Sequence, residues 1–321
     1  RFGLVNKKAQ LRKEKAMVTA ARPRIEPIVV SDESTVVGLY EPARSTQSEY
    51  QSEAALEDAL IAQLRAQAYE YLDIHDLDGL TGNLRKQLEA LNDYRFSNDE
   101  WARFYEQSIV NVPSDEPNSV IAKARRIHED YVQVLTRDDG TIKNIRLIDK
   151  TNIHRNKLQV IRQFAIDTGE RKNRYDVTIL VNGLPLIHIE LKRRGKALRE
   201  AFNQIDRYQR DSFYAAAGDG LFGYVQIFII SNGAHTKYYS NTVRLQHLTE
   251  NHGQRREVKA ANARSFEFTS WWTDAANNQI PELTDFTATF LAQRTVLSIL
   301  TRYCVLNVQN EWLVMRPYQI A

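Results

Sequence analysis

Three side chains near the middle of the chain have the types and spacing for hydrolysis of a phosphate ester. Glu190 stands fourteen positions after Asp176, and Lys192 lies two beyond Glu190. Two carboxylates brought together repel unless a cation sits between them. Hard oxygen donors suit Mg²⁺, which takes one or two carboxylates and keeps several waters. Such an ion polarises a phosphoryl oxygen and lowers the pKa of water. An amine beside it orients the attacking water or offsets charge at the phosphate. The expectation is that Asp176 and Glu190 hold Mg²⁺ and that Lys192 assists.

The elements that must position these groups are two strands and a turn. Val177, Ile179 and Val181 alternate with Asp176, Thr178 and Leu180. Ile187, Ile189 and Leu191 alternate with His188, Glu190 and Lys192. Successive strand side chains point to opposite faces, so register decides whether the acids meet. A two-residue Asn182-Gly183 turn pairs Val181 with Leu184 and sends the acids to opposite faces. An odd loop pairing Val181 with Pro185 sets Asp176 opposite Glu190, Val177 opposite Ile189 and Ile179 opposite Ile187. The second register gives one dry face and one charged face and is the one expected. His188 falls on the charged face, as a metal neighbour or as a partly buried, hydrogen-bonded histidine.

Around this hairpin the chain reads as mixed α/β. Ser52 caps a helix carrying Leu56, Leu60 and Leu64. Residues 80–110 read as helical, with a Ser97–Glu100 capping box. Residues 119–130 are helical, and strands follow over Tyr131–Leu135 and Ile142–Ile148. A helix over 197–213 is followed by a buried strand over Tyr224–Ile230. Strand, helix, strand implies a crossover and a partly parallel sheet. Residues 284–306 read as one helix. Residues 1–47, basic and then rich in Pro, Ser and Thr, read as a flexible extension.

Composition narrows the classes. Lys plus Arg total 43 against 40 Asp plus Glu, a net charge of +3, so bulk charge alone does not mark a nucleic-acid binder. No apolar run is long enough to span a membrane. One cysteine, Cys304, excludes an internal disulfide and matches a cytoplasmic protein. Basic residues do cluster after the second strand: Arg193, Arg194 and Lys196 are read as contacts to a nucleic-acid backbone.

The spacing of Asp176 with Glu190-Leu191-Lys192 resembles the PD-(D/E)xK nuclease signature, although Tyr175 replaces the usual proline. Residues Arg174 to Pro185, Ile189 to Arg194 and Arg199 to Tyr208 closely resemble the R (motor) subunit of type I restriction-modification enzymes. Gln204 and Tyr208 match that family's QxxxY motif, which implies that they position DNA or the lysine. Ser231-Asn232-Gly233 and Tyr50 to Glu57 also resemble the family. Its members imply a helical glutamate near the metal, here Glu53 or Glu57. Arg316 to Gln319 resembles the Q motif that opens superfamily 2 motor domains, which implies adenine recognition by Gln319. No phosphate-binding GxxxxGK[ST] loop occurs in the chain, so ATP hydrolysis by this piece alone is not expected.

The resemblance implies a PD-(D/E)xK-like core at 48–283, with a linking helix and the start of a motor domain at 284–321. It implies a subunit that moves along double-stranded DNA with ATP, cuts it, and works with modification and specificity subunits. The rival readings are a stand-alone nuclease of DNA repair or transposition and a non-catalytic DNA-binding or scaffold module.

Overall fold

The computed structural model describes residues 24–27, 38–41, 51–112, 120–167, 172–211, 220–240, 265–306 and 312–315. The first elements are short strands, β1 (Arg24–Pro27) and β2 (Gly38–Glu41), paired antiparallel with Ile25 opposite Tyr40. They fall inside the stretch expected to be a flexible extension, residues 1–47. Then come α1 (Glu53–Ala66), β3 (Glu70–Tyr71), α2 (Leu77–Asn92) and α3 (Asn98–Phe104). Ser52 caps α1 by accepting from Ala55 N–H at 3.1 Å. Ser97 and Glu100 form the expected reciprocal box at the start of α3, a device that contributes about 1 kcal/mol. A π-helical segment, Tyr105–Val110, follows.

The next elements are α4 (Val120–His128) and the antiparallel pair β4 (Val132–Thr136) and β5 (Ile142–Arg146). Beyond them lie β6 (Leu158–Asp167), β7 (Lys172–Val181), β8 (Leu184–Leu191), α5 (Leu198–Asp211), β9 (Ile227–Ser231) and β10 (Thr236–Ser240). The chain continues through α6 (Leu283–Thr289), α7 (Gln293–Arg302) and a last antiparallel pair, β11 (Cys304–Leu306) and β12 (Trp312–Val314).

Six strands form the central sheet in the order β10-β9-β8-β7-β6-β3. The sheet is mixed: β8 with β9 and β6 with β3 are parallel, the other neighbours antiparallel. Helix α5 is the crossover between parallel β8 and β9, as a strand-helix-strand pattern requires. Every residue of β8 is buried: the strand lies between β7 and β9 and packs against α1 and α5. The charged face expected on this hairpin is therefore also an interior face. Burying Ile187 and Ile189 completely contributes roughly 1.5–3 kcal/mol each.

Two expected elements divide. The stretch 224–230 begins as a tight 3₁₀ turn, Leu221–Tyr224, and becomes strand only at Ile227. The single helix expected over 284–306 breaks after Phe290, where Ala292 is extended at φ −57°, ψ 133°. There the Leu291 carbonyl accepts from the Tyr69 hydroxyl at 2.8 Å, a tertiary contact in place of the next helical turn. Phe286 and Phe290 stack on each other and Phe290 packs on Tyr238 of β10, so α6 and α7 join the same core as the sheet.

Candidate functional site

The β7–β8 hairpin sets the site, and its register is the first finding. The turn is the two-residue Asn182-Gly183, with Val181 opposite Leu184 and Leu180 opposite Pro185. The pairing of Val181 with Pro185 expected from sequence is therefore incorrect. Yet Ile179 faces Ile187 and Val177 faces Ile189, as expected. Both hold because Leu186 is an extra residue in β8, a β-bulge between the two registers. Asn182 (φ 51°) and Gly183 (φ 85°) both take left-handed backbone, the requirement of a tight hairpin turn. The Asn182 amide donates to Leu147 O at 3.1 Å and its oxygen accepts from Lys157 N–H at 2.8 Å.

Past the bulge, Asp176 and Glu190 come together. The Leu191 N–H donates to Asp176 Oδ2 at 2.9 Å, which fixes that carboxylate against the end of β8. Glu190 is wholly buried and its Oε1 accepts from Lys192 Nζ at 3.0 Å. Lys192 Nζ also donates to the Leu191 carbonyl at 2.9 Å, so its ammonium is aimed by two oxygens. Glu190 Oε2 is buried with no hydrogen-bond partner. Burial, then the charge of Glu190, pushes the Asp176 carboxyl up to about 7. Burial pushes Glu190 up to about 7 as well, against the pull of Lys192. Such a pair favours either a shared proton or a bound cation.

His188 is buried and its Nε2 lies 3.5 Å from Glu190 Oε2. Burial lowers its pKa to about 4, so the ring is neutral at ordinary pH. It sits among the rings of Tyr175, Tyr208 and Phe228.

A cleft of about 710 Å³ opens over Asp176 and is also lined by Glu53, Glu57, Arg162, Gln163, Gln204 and Tyr208. Both glutamates expected on the early helix line the cleft, and they differ in burial. Glu57 is buried, and burial together with the Asp176 charge raises its pKa against the Gln163 hydrogen bond and Arg162. Glu53 is exposed, and its carboxylate accepts from the Arg193 N–H at 3.3 Å. Among the described residues no three Asp, Glu, His or Cys side chains converge tightly enough to cage an ion. The donors thus amount to a carboxylate pair with a third acid standing back, and an oxygen-only pair is the set that suits hydrated Mg²⁺.

Gln204 and Tyr208, one turn apart on α5, are bonded to each other, and the Tyr208 hydroxyl donates to the Arg174 carbonyl at 2.8 Å. Tyr208 is buried against Tyr175. The basic turn is partly engaged: Arg194 pairs with Glu282 at 3.3 Å and Lys196 with Glu200 at 3.4 Å, while Arg193 is exposed. The Ser231-Asn232-Gly233 turn braces it. Ser231 O accepts from Lys192 N–H at 2.8 Å, and Asn232 Nδ2 donates to Lys196 O at 2.7 Å. Gln319 and its motif lie outside the described residues.

Sequence reasoning missed Arg162 and Gln163. They sit on β6, whose apolar residues Val160, Ile161, Phe164 and Ile166 are a strand signal, but nothing in residue type marks Gln163.

The class the fold and site define is a mixed-sheet α/β domain that brings two buried acids and an aimed amine together on adjacent strands. Comparison with known proteins gives the family. The description Type I restriction enzyme R protein N terminus (HSDR_N) matches residues 50–247, and the chain belongs to that family. It is 46% identical over 297 residues to the type I restriction enzyme EcoprrI endonuclease subunit of Escherichia coli, covering 92% of this chain and 88% of that protein. It is 36% identical over 272 residues to the SsaAORF53P endonuclease subunit of Staphylococcus saprophyticus, covering 84% of this chain. The SauMSSORF170P endonuclease subunit of Staphylococcus aureus is 34% identical over the same length. Of each staphylococcal protein the chain spans 26%. No described helix is long and apolar enough to cross a membrane.

Proposed function

We propose that this chain carries the DNA-cutting centre of a type I restriction R subunit, a Mg²⁺-dependent nuclease of PD-(D/E)xK type. The observation that carries the reading is the meeting of Asp176 and Glu190 on adjacent strands with Lys192 bonded to Glu190. The endonuclease naming of relatives up to 46% identical supports it.

In this reading Asp176 and Glu190 hold the ion, and the unpartnered Glu190 Oε2 is a ready donor. The bound ion would supply charge stabilisation at the phosphate and a more acidic water. Lys192, kept within 3.0 Å of Glu190, presents its ammonium to the nucleophile or to the phosphate oxygens. Gln204 and Tyr208 wall the cleft and position the strand being cut. Arg193, Arg194 and Lys196 neutralise neighbouring phosphates without reading bases. The fuller role, also proposed, makes Gln319 part of the opening of a motor domain. That motor would translocate duplex DNA with ATP beside modification and specificity subunits.

The test is cleavage of supercoiled plasmid by the complete complex with Mg²⁺ and ATP. Glu190→Ala and Lys192→Ala are expected to abolish cutting while DNA binding persists. Parental cutting by either variant overturns the assignment.

A further inference from the structure

Strand β6 contains a non-glycine residue in left-handed backbone. Gln163 has φ 53° in the middle of a ten-residue strand. Left-handed backbone is rare and strained for such a residue, and persists where surrounding structure enforces it. The strand is regular on both sides: Arg162 pairs with Val177 and Phe164 with Tyr175. The missing rung is the one that would join Gln163 to Asp176. The distortion thus lies directly across the sheet from the acid at the centre of the site.

Its local effect is visible in the side chains. Consecutive residues of a strand point to opposite faces. Arg162 and Gln163 are consecutive, yet both line the cleft and both reach Glu57 of α1. Arg162 Nη1 lies 3.5 Å from Glu57 Oε1, and the Gln163 amide donates to Glu57 Oε2. Both oxygens of one carboxylate are thus held from consecutive residues of one strand, at the point where its backbone departs from the extended form. Arg162 is further anchored by Asp58. A glycine would adopt this backbone without strain, but it would lack the amide.

We infer that Gln163 is a positioning residue: its left-handed backbone aims the amide that fixes Glu57 over Asp176 and so sets the cation affinity of the site. This rests on the proposed metal-dependent nuclease, and it adds a residue that acts through Glu57. The backbone strain is the cost of the amide's direction. Side chain and backbone preference therefore pull in opposite senses at this position, which gives a signature that a merely structural residue would lack.

The experiment titrates Mg²⁺ and Mn²⁺ alone, without nucleic acid, into the intact protein that carries this chain, by calorimetry. Thermal stability without metal is measured on the same samples. Gln163→Gly and Gln163→Asn accept left-handed backbone but cannot reach Glu57. Gln163→Ala keeps the strain and loses the amide. All three are expected to lose about tenfold or more in cation affinity. The glycine and asparagine variants are expected to melt no lower than the parent, and alanine lower. Unchanged affinity in all three overturns the inference, as does an affinity that falls only in step with melting temperature. Asp176→Ala separates the two claims. If it keeps parental cation affinity, the metal-site reading itself fails. If it loses binding while the Gln163 variants do not, only the role of Gln163 fails.

Discussion

The Leu191 N–H bonds the Asp176 carboxylate at 2.9 Å across the hairpin, so the strand that carries Glu190 also holds the acid opposite it. Asp176 is thereby fixed by backbone, and Lys192, one residue further, is fixed by Glu190. The aimed ammonium leads to the first prediction. Lys192→Met retains most of the buried stem and removes the charge. DNA cleavage is expected to fall by at least ~100-fold, while Mg²⁺ affinity measured by calorimetry is kept or raised, because a cation competing for Glu190 has gone. A parallel loss of metal binding would instead make Lys192 a structural support of the carboxylates.

The raised carboxyls tie stability to pH. Asp176 and Glu190 titrate near 7 in the fold, above their ordinary values of 3.8 and 4.5. Their stabilising contribution is therefore complete below about pH 4 and lost as pH rises through about 7. His188, held down to about 4, acts in the opposite sense, losing stability as pH falls below 6.5. Comparison with Glu190→Gln isolates the acids. In urea unfolding without metal, the parent is expected to lose stability relative to this variant between about pH 5 and pH 8. Mg²⁺ should restore the parent at the higher pH and have little effect at the lower, where protons compete. A parent-minus-variant difference that stays flat with pH would contradict the acid pair.

Tyr208 links the QxxxY helix to β7 through the Arg174 carbonyl. Tyr208→Phe removes that donor and the acceptor for Gln204, and is expected to cost about 1 kcal/mol in stability. Gln204→Ala leaves the Arg174 bond in place and should reduce cleavage with little change in the unfolding midpoint. Equal stability losses in the two variants would assign both residues to packing alone.

The hairpin turn has a sharper sensitivity. A Cβ on Gly183 would stand 2.6 Å from Leu84 Cα, and the residue's φ is 85°. Gly183→Ala is expected to destabilise by more than about 1 kcal/mol in equilibrium urea unfolding, and a neutral result would mean that α2 yields there.

The C-terminal helices test how the core closes over the sheet edge. Phe290 is fully buried and contacts Tyr238, Trp272 and Phe286. Phe290→Ala is expected to cost about 3–5 kcal/mol and to shift the cooperative melt of the whole chain. A separate, earlier transition would show α6 and α7 to be an independent unit.

The amino-acid sequence by itself determined the hairpin, because β-branched alternation and Asn182-Gly183 are local signals. It also determined the caps at Ser52 and Ser97, where a side chain bonds the backbone three residues on. It picked out the residues that meet, Asp176, Glu190 and Lys192, through a spacing and a family likeness. Tertiary structure decided the rest. The bulge at Leu186 reconciles a two-residue turn with facing acids, and Leu186 is buried there. That Glu57 is buried and Glu53 exposed rests on which way α1 turns against the sheet. The left-handed Gln163 has no local signal, since its own preference opposes that conformation. Its hydrogen-bond partner, Glu57 of α1, is 106 positions away, and such a distant contact is set by the assembled core rather than by neighbours in sequence.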